Sequence, residues 1–292
     1  MASPKTVARL AKRLEAAERE QRVQAVVDRV LQRALAMNTA EDIAHVVELT
    51  RDAVADLGLD PVLTNIAVFD EARDLVHAWH TWQDRSVVVR QGYKLSLAAL
   101  RKSGSKYHTP RRGRQRLAVI RMNRRQLTSE LNKNRKALMP DGPKWGVAGV
   151  VAGFTFPNYR HNFYFSGGWI GLDYPRELTK PEIAVGRRIA DAFDVAYRRF
   201  VELQAKEQRA RDAEVEAALE RVRGRAQGMQ SSNEMGAVTE VLFDEMQGLG
   251  SELQVSMFNL MNHADRSWEQ VAAGSFGSTK PTRCALEGIP AG

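Results

Sequence analysis

The chain has 292 residues, 43% of them hydrophobic and 27% charged, a composition that excludes disordered and fibrous classes and suffices for one large or two ordinary domains. Its single cysteine, Cys284, excludes an internal disulfide framework and a multi-cysteine metal cage, and fits a reducing compartment. The net charge of +8 comes with no apolar run long enough to span a bilayer and no apolar signal core in "MASPKTVARLAKRLEAAEREQR", so the reading is cytoplasmic, without membrane insertion.

The charged N-terminus reads as a helix, and its end opens a phrase that the chain repeats. "RALAMNTAEDIAHVV" (33–47) and "RAQGMQSSNEMGAVT" (225–239) are related by a shift of 192 residues. The same shift places Val23, Val27, Val30, Ala34 and Met37 on Val215, Leu219, Val222, Ala226 and Met229, and Leu57-Gly58 on Leu249-Gly250. In the first copy Thr39 and Asp42 have the spacing of a helix cap, as do Ser231 and Glu234 in the second. The helix that follows carries Ile43, Val46, Val47, Thr50 and Val54 on one face and stops at Gly58. "VLTNIAVFD" (62–70) then reads as a strand pairing with "LVHAWHTW" (75–82), and "QVSMFNLMN" (254–262) is its counterpart.

Farther along, "KLSLAAL" (94–100) and "RRQLTSELNKNRKALM" (124–139) read as helices. "VAGVVAGFTF" (147–156) and "NFYFSGGWIGL" (162–172) read as a hairpin joined by "PNYRH". From Thr179, with Pro181 and Glu182 in the first turn, nothing breaks a helix until Met229, a rod on the order of 70 Å long. The spacing of Val23, Val27, Val30, Val215, Leu219, Val222 and Ala226 alternates four and three. That is the pattern of a coiled-coil seam, and it predicts a parallel homodimer; a helix packed on its own domain shares it. The domains expected are an N-terminal coiled-coil helix (1–37), a sensor domain (38–182), a linker helix (183–229) and a truncated second copy (230–292), whose tail from Gly274 should be mobile.

The charged helix ending in R-A-x-x-M, the capped helix closing in L-G, the strand hairpin and the helix through "LQAKEQRARDAEVEAALERVRGRAQGM" together resemble the tandem GAF-like sensor repeats of bacterial signalling proteins. In those proteins such repeats stand upstream of histidine-kinase or nucleotide-cyclase domains. The likeness covers roughly residues 22–205 and 216–275. It implies an α/β fold of the α+β kind, with an antiparallel sheet flanked by helices, long N-terminal and linker coiled-coil helices, and a relay of conformational change between copies. The asparagine-lysine-phenylalanine-aspartate-glutamate motif of cyclic-nucleotide-binding members is not reproduced: Asn132 and Lys133 are followed by neither the phenylalanine nor the acidic pair. No cysteine in the first copy offers itself to a bilin, and the cofactor is left unknown.

The sequence carries no P-loop, G-x-S-x-G, H-E-x-x-H or paired-cysteine zinc signature, so the expectation is a protein that is not an enzyme. Alternation along "HAWHTWQD" sends His77, Trp79 and Thr81 to one face and Ala78, His80 and Trp82 to the other. His77 and Trp79 with Tyr159, His161, Tyr164 and Trp169 make a candidate small-molecule pocket on a sheet face, with ordinary core packing the competing reading. Between Arg101 and Lys136 thirteen lysines and arginines face one acid, Glu130. That block, including Arg111, Arg112, Arg114, Arg116, Arg121, Arg124 and Arg125, offers a polyanion-binding alternative, nucleic acid included.

Overall fold

The computed structural model describes residues 4–84, 87–105, 115–140, 146–264 and 266–285, and divides the chain into two compact units, Met1–Glu202 and Leu203–Gly292. In the first unit α1 (Pro4–Leu35) and α2 (Ile43–Ala55) lead into the strands β1 (Leu63–Asp70), β2 (Leu75–Asp84) and β3 (Val87–Ser96). Then follow α3 (Leu97–Ser103), β4 (Leu117–Met122), α4 (Arg124–Ala137), α5 (Val147–Ala152), β5 (Asn158–Phe165), β6 (Gly168–Tyr174) and α6 (Lys180–Gln227). The six strands form one antiparallel sheet in the order β3-β2-β1-β6-β5-β4. This is the α+β architecture expected, an antiparallel sheet flanked by helices.

The period of two along each strand sends side chains to two faces, and each face has its own cover. Ile66, Val68, Phe163, Phe165, Ile170 and Leu172 pack in one core with α1, α2 and the start of α6. Ala67, Val76, Ala78, Tyr164 and Trp169 pack against α3 and α4, and Leu63, Met122, Leu127, Val147, Val151 and Phe154 form a third cluster that includes α4 and α5. Two local devices fix the helices. Asn123 and Gln126 make reciprocal 2.9 Å hydrogen bonds in a capping box at the head of α4. At the head of α6, Glu182 accepts from the Thr179 backbone at 2.7 Å and from both Arg176 amino groups, at 2.9 and 2.8 Å. Arg176, with the Thr179 amide and hydroxyl, holds the Glu182 carboxyl down to about 2.

Several expectations are corrected. Val23, Val27 and Val30 do not wait for a partner helix: they are buried with Val26 against the first unit's own core. Four apolar side chains on one stripe gain roughly 1.5–3 kcal/mol each by burial, and α2 and α6 supply the cover within the same chain. The boundary expected at residue 37 therefore falls inside a packed unit. Thr39 does not cap α2 by its own side chain; Asp42 reaches back instead, accepting from the Asn38 and Thr39 backbone at 2.8 and 2.9 Å. The strand expected over 147–156 is in its first part helix α5, whose Val147 and Val151, one turn apart, are buried. The hairpin turns at Ser166-Gly167, inside the run read as one strand.

The second unit contains the remainder of α6, α7 (Met235–Gly248), β7 (Val255–Asn262), β8 (Ser267–Gly274), β9 (Gly277–Ser278) and β10 (Thr282–Ala285). Adding 192 to the first unit's numbers reproduces it: Leu35 maps to Gln227, Ile43 to Met235, Leu63 to Val255, Asp70 to Asn262 and Leu75 to Ser267. The strand register is reproduced as well, since the pair Leu63↔Trp82 becomes Val255↔Gly274. Gly58 and Gly250 end the two capped helices at φ +75° and +85°, a conformation that costs glycine nothing. The copies part company after β8. The template pair Ala78↔Tyr93 would place Gln270 opposite Ala285, whereas Gln270 lies opposite Thr282, because the second hairpin turns earlier, between Gly274 and Gly277. The tail expected to be mobile from Gly274 is thus held on β8 as far as Ala285, with Thr279 and Ala272 bonded through their backbones at 2.8 Å. Residues 286–292 lie outside the described residues.

Two glycines of α6 predict opposite outcomes. A Cβ at Gly186 would overlap the Phe163 ring, while at Gly224 it meets nothing within 4 Å. Gly186→Ala should cost about 1–3 kcal/mol by overpacking, and Gly224→Ala should stabilise by up to about 1 kcal/mol through helix propensity. Chemical denaturation of the two variants checks the signs.

Candidate functional site

The six residues expected to line one pocket lie on two faces of the sheet. His77, Trp79, Tyr159 and His161 share the parity of the face covered by α1, α2 and α6, while Tyr164 and Trp169 point to the face covered by α3 and α4. Trp79 packs at the edge of the helix-covered core, stacked on His77 at 6.0 Å. His161 is fully buried there, its Nε2 accepting the Leu178 backbone N–H at 3.1 Å, and burial holds its pKa below the ordinary histidine value. It serves as a core residue that ties β5 to the head of α6. No single pocket joins the six, because alternation fixes the face of every side chain once the register is set.

The opposite face carries an unusual polar floor. Asn65, Gly171 and Asn162 are aligned across β1, β6 and β5, with His80 of β2 opposite Asn65. The missing side chain at Gly171 makes room for two amides: a Cβ there would overlap Asn65 Oδ1 and come within 3.1 Å of Asn162 Oδ1. Both asparagines are buried, yet among the described residues neither side-chain atom of Asn65, nor Asn162 Oδ1, has a hydrogen-bond partner. An unmet buried polar group costs about 1–3 kcal/mol, so such a cluster asks for a ligand or ordered water.

Around these amides the partners are paired. Tyr93 Oη and His80 Nε2 are 2.6 Å apart with their rings stacked, and burial pushes the Tyr93 phenol well above its ordinary pKa, with the Arg160 charge acting the other way. One row along, Arg160 and Asp173 form a fully buried ion pair at 2.9 Å from Nε and 2.6 Å from Nη2. Asn158 adds a third bond to Asp173, at 2.6 Å. Trp169 closes the other side, edge-on to Phe69 at 5.1 Å and to Tyr164 at 6.1 Å. The arrangement presents amide donors and acceptors on a frame of aromatic rings and a neutralised ion pair, chemistry suited to holding a small polar molecule. No group of three or more potential metal ligands occurs among the described residues.

The basic block is only partly visible. Arg111, Arg112 and Arg114 lie outside the described residues. Arg116 pairs with Asp191, Arg121 lies 5.9 Å from the Tyr159 ring and Arg124 4.9 Å from the Phe156 ring, and Arg121, Arg124 and Arg125 are exposed. Its one acid, Glu130, is buried, bonded to Ser105 at 3.0 Å and Lys133 at 2.7 Å. In the second unit, Val215 and Leu219 of the expected seam are exposed, Val222 is half-buried and Ala226 exposed.

No family model matches the chain, and no curated protein matches it. Among solved structures it is similar to the bacteriophytochrome RpBphP3 from the photosynthetic bacterium R. palustris, at 14% identity over 88% of this chain with a TM-score of 0.39. The chain spans about half, 51%, of that protein's length. No helix among the described residues is long and apolar enough to cross a membrane.

The Arg160–Asp173 pair yields a direct test of how the polar floor is held. Asp173→Asn strands a buried guanidinium and should cost about 3–5 kcal/mol, whereas replacing both partners by Met and Leu together should recover most of that loss. A double-mutant cycle by urea denaturation measures the difference.

Proposed function

We propose that the chain is a non-catalytic sensing and relay module of a signalling protein, in which the polar floor of the first unit binds a small polar molecule. The observation that carries this reading is the pair of buried asparagine amides beside a glycine that makes room for them: both side-chain polar atoms of Asn65 and the Oδ1 of Asn162 lack partners among the described residues. The repeat supports the relay half of the proposal. Each copy is entered by a helix ending at the equivalent residue, Leu35 or Gln227, followed by an equivalent capped helix and strand pair. Movement of strands over a bound ligand would bear on α6, whose Phe193 and Ala196 sit in the same core as β5 and β6. Val215 and Leu219 remain exposed, as a parallel helical dimer would require.

Substitution of Asn65 and Asn162 by leucine separates ligand binding from mere packing. If the floor binds a ligand, native mass spectrometry of purified protein should show a small-molecule adduct that the double variant loses, the affinity falling by about tenfold or more per lost bond. If the floor binds no ligand, no adduct should appear in either protein. The basic segment supports a second reading, polyanion binding, on the exposed Arg121, Arg124 and Arg125. Association that weakens steeply with added salt would favour it over an amide-lined ligand site.

A further inference from the structure

β5 holds α6 at two places, and the two attachments differ in chemistry. At the head of the helix, the fully buried His161 accepts the Leu178 backbone N–H on Nε2 at 3.1 Å. Farther along, the Ser166 N–H donates to Asp194 at 2.8 Å, and the Phe165 ring meets Phe193 and Tyr197 edge-on at 4.9 and 5.2 Å. Burial works to raise the Asp194 carboxyl, yet its bonds from Ser166 and Arg198 hold it below its ordinary value, so this anchor stays ionised near neutral pH. The imidazole is the member of the two that can change charge there.

A ring nitrogen that accepts an N–H carries no proton of its own, so the contact with Leu178 exists only for neutral His161. A proton on Nε2 would set two donors against each other in a buried site. The surroundings give that proton little support. Val119 of β4 and Leu172 of β6 stand opposite His161, and Tyr174 meets its ring edge-on at 6.1 Å, with a phenol that burial pushes well above its ordinary value. Arg121, on the same face of β4, lies over the Tyr159 ring, and Glu182 at the helix head is bonded to Arg176. Burial lowers the His161 pKa; Asp173 of β6, Glu177 of the segment before α6 and the Leu172 and Tyr159 backbones act the other way and are outweighed. With the folded value below the ordinary 6.5, the contact is fully favoured above about 6.5 and is lost as the pH falls from there through the lowered value.

We propose that the His161–Leu178 contact is a proton-released latch: protonation of His161 frees the segment before α6 from β5, while the Ser166–Asp194 anchor keeps hold of the helix farther along. The latch gives α6 an acid input at its head. It stands whether or not the polar floor binds a ligand, because His161 and Asn162 point to opposite faces of β5.

Amide hydrogen exchange on the full chain between about pH 7.5 and 5 tests it, with each rate divided by the intrinsic rate at the same pH. Protection of the Leu178 amide should fall below about pH 6.5, by up to about tenfold per pH unit, while protection of Ile66 in the middle of β1 stays constant. In His161→Gln the side-chain carbonyl can still accept the Leu178 N–H and does not titrate, so Leu178 protection should lose its pH dependence. Should that variant fail to fold, the comparison of Leu178 with Ile66 in the unmodified chain still decides. Leu178 protection that is flat with pH, a parallel fall at Ile66, or the same fall in His161→Gln would overturn the proposal.

Discussion

A strand in the middle of a sheet has two edges and two faces to satisfy, and β1 is the strand in which all four are met. β2 and β6 take its edges, Ile66 and Val68 go under the helices α1, α2 and α6, and Asn65 and Ala67 go under α3 and α4. The rest of the first unit follows from that constraint. The helices exist as layers because both faces need cover, and the two Asn side chains are buried because the strand that carries Asn65 has no solvent side. The same constraint makes the polar floor meaningful: buried amide atoms with no partner among the described residues call for ordered water or a ligand.

The repeat turns this into a comparison within one chain. β7 begins from an equivalent helix, the same left-handed glycine and the same register with β8, yet among the described residues it has a partner on only one edge. Met257, Phe258 and Leu260, which the shift of 192 places on the buried Asn65, Ile66 and Val68 of β1, are exposed. Difference in environment, with little difference in local pattern, separates the two copies.

Much of this was legible before any coordinates. Caps, glycine stops and period-two alternation are local signals, and they placed α2, α7, β1, β2 and β7 and assigned His77 and Trp79 to one side and His80 to the other. What was not legible depends on distant chain. The stripe Val23, Val27, Val30 has the same spacing whether its cover is another helix of its own unit or a partner's, and the difference lies in α2 and α6. "VAGVVA" is a short apolar run that suits strand and helix alike, and packing on α4 decided it. The candidate pocket failed because aromatics from two faces were joined without the register of β5 against β6. A better signal was present in "LTNIAV" and "RHNFYF": an asparagine in the middle of an apolar strand is expensive to bury, and that expense marks Asn65 and Asn162.

The central claim, that among the described residues one strand pattern is paired on both edges and covered on both faces in the first copy and paired on one edge in the second, is most directly tested by hydrogen exchange on the full protein. The account predicts slow exchange for Leu63–Asp70 and faster exchange in Val255–Asn262. Equal protection of the two strands would contradict it.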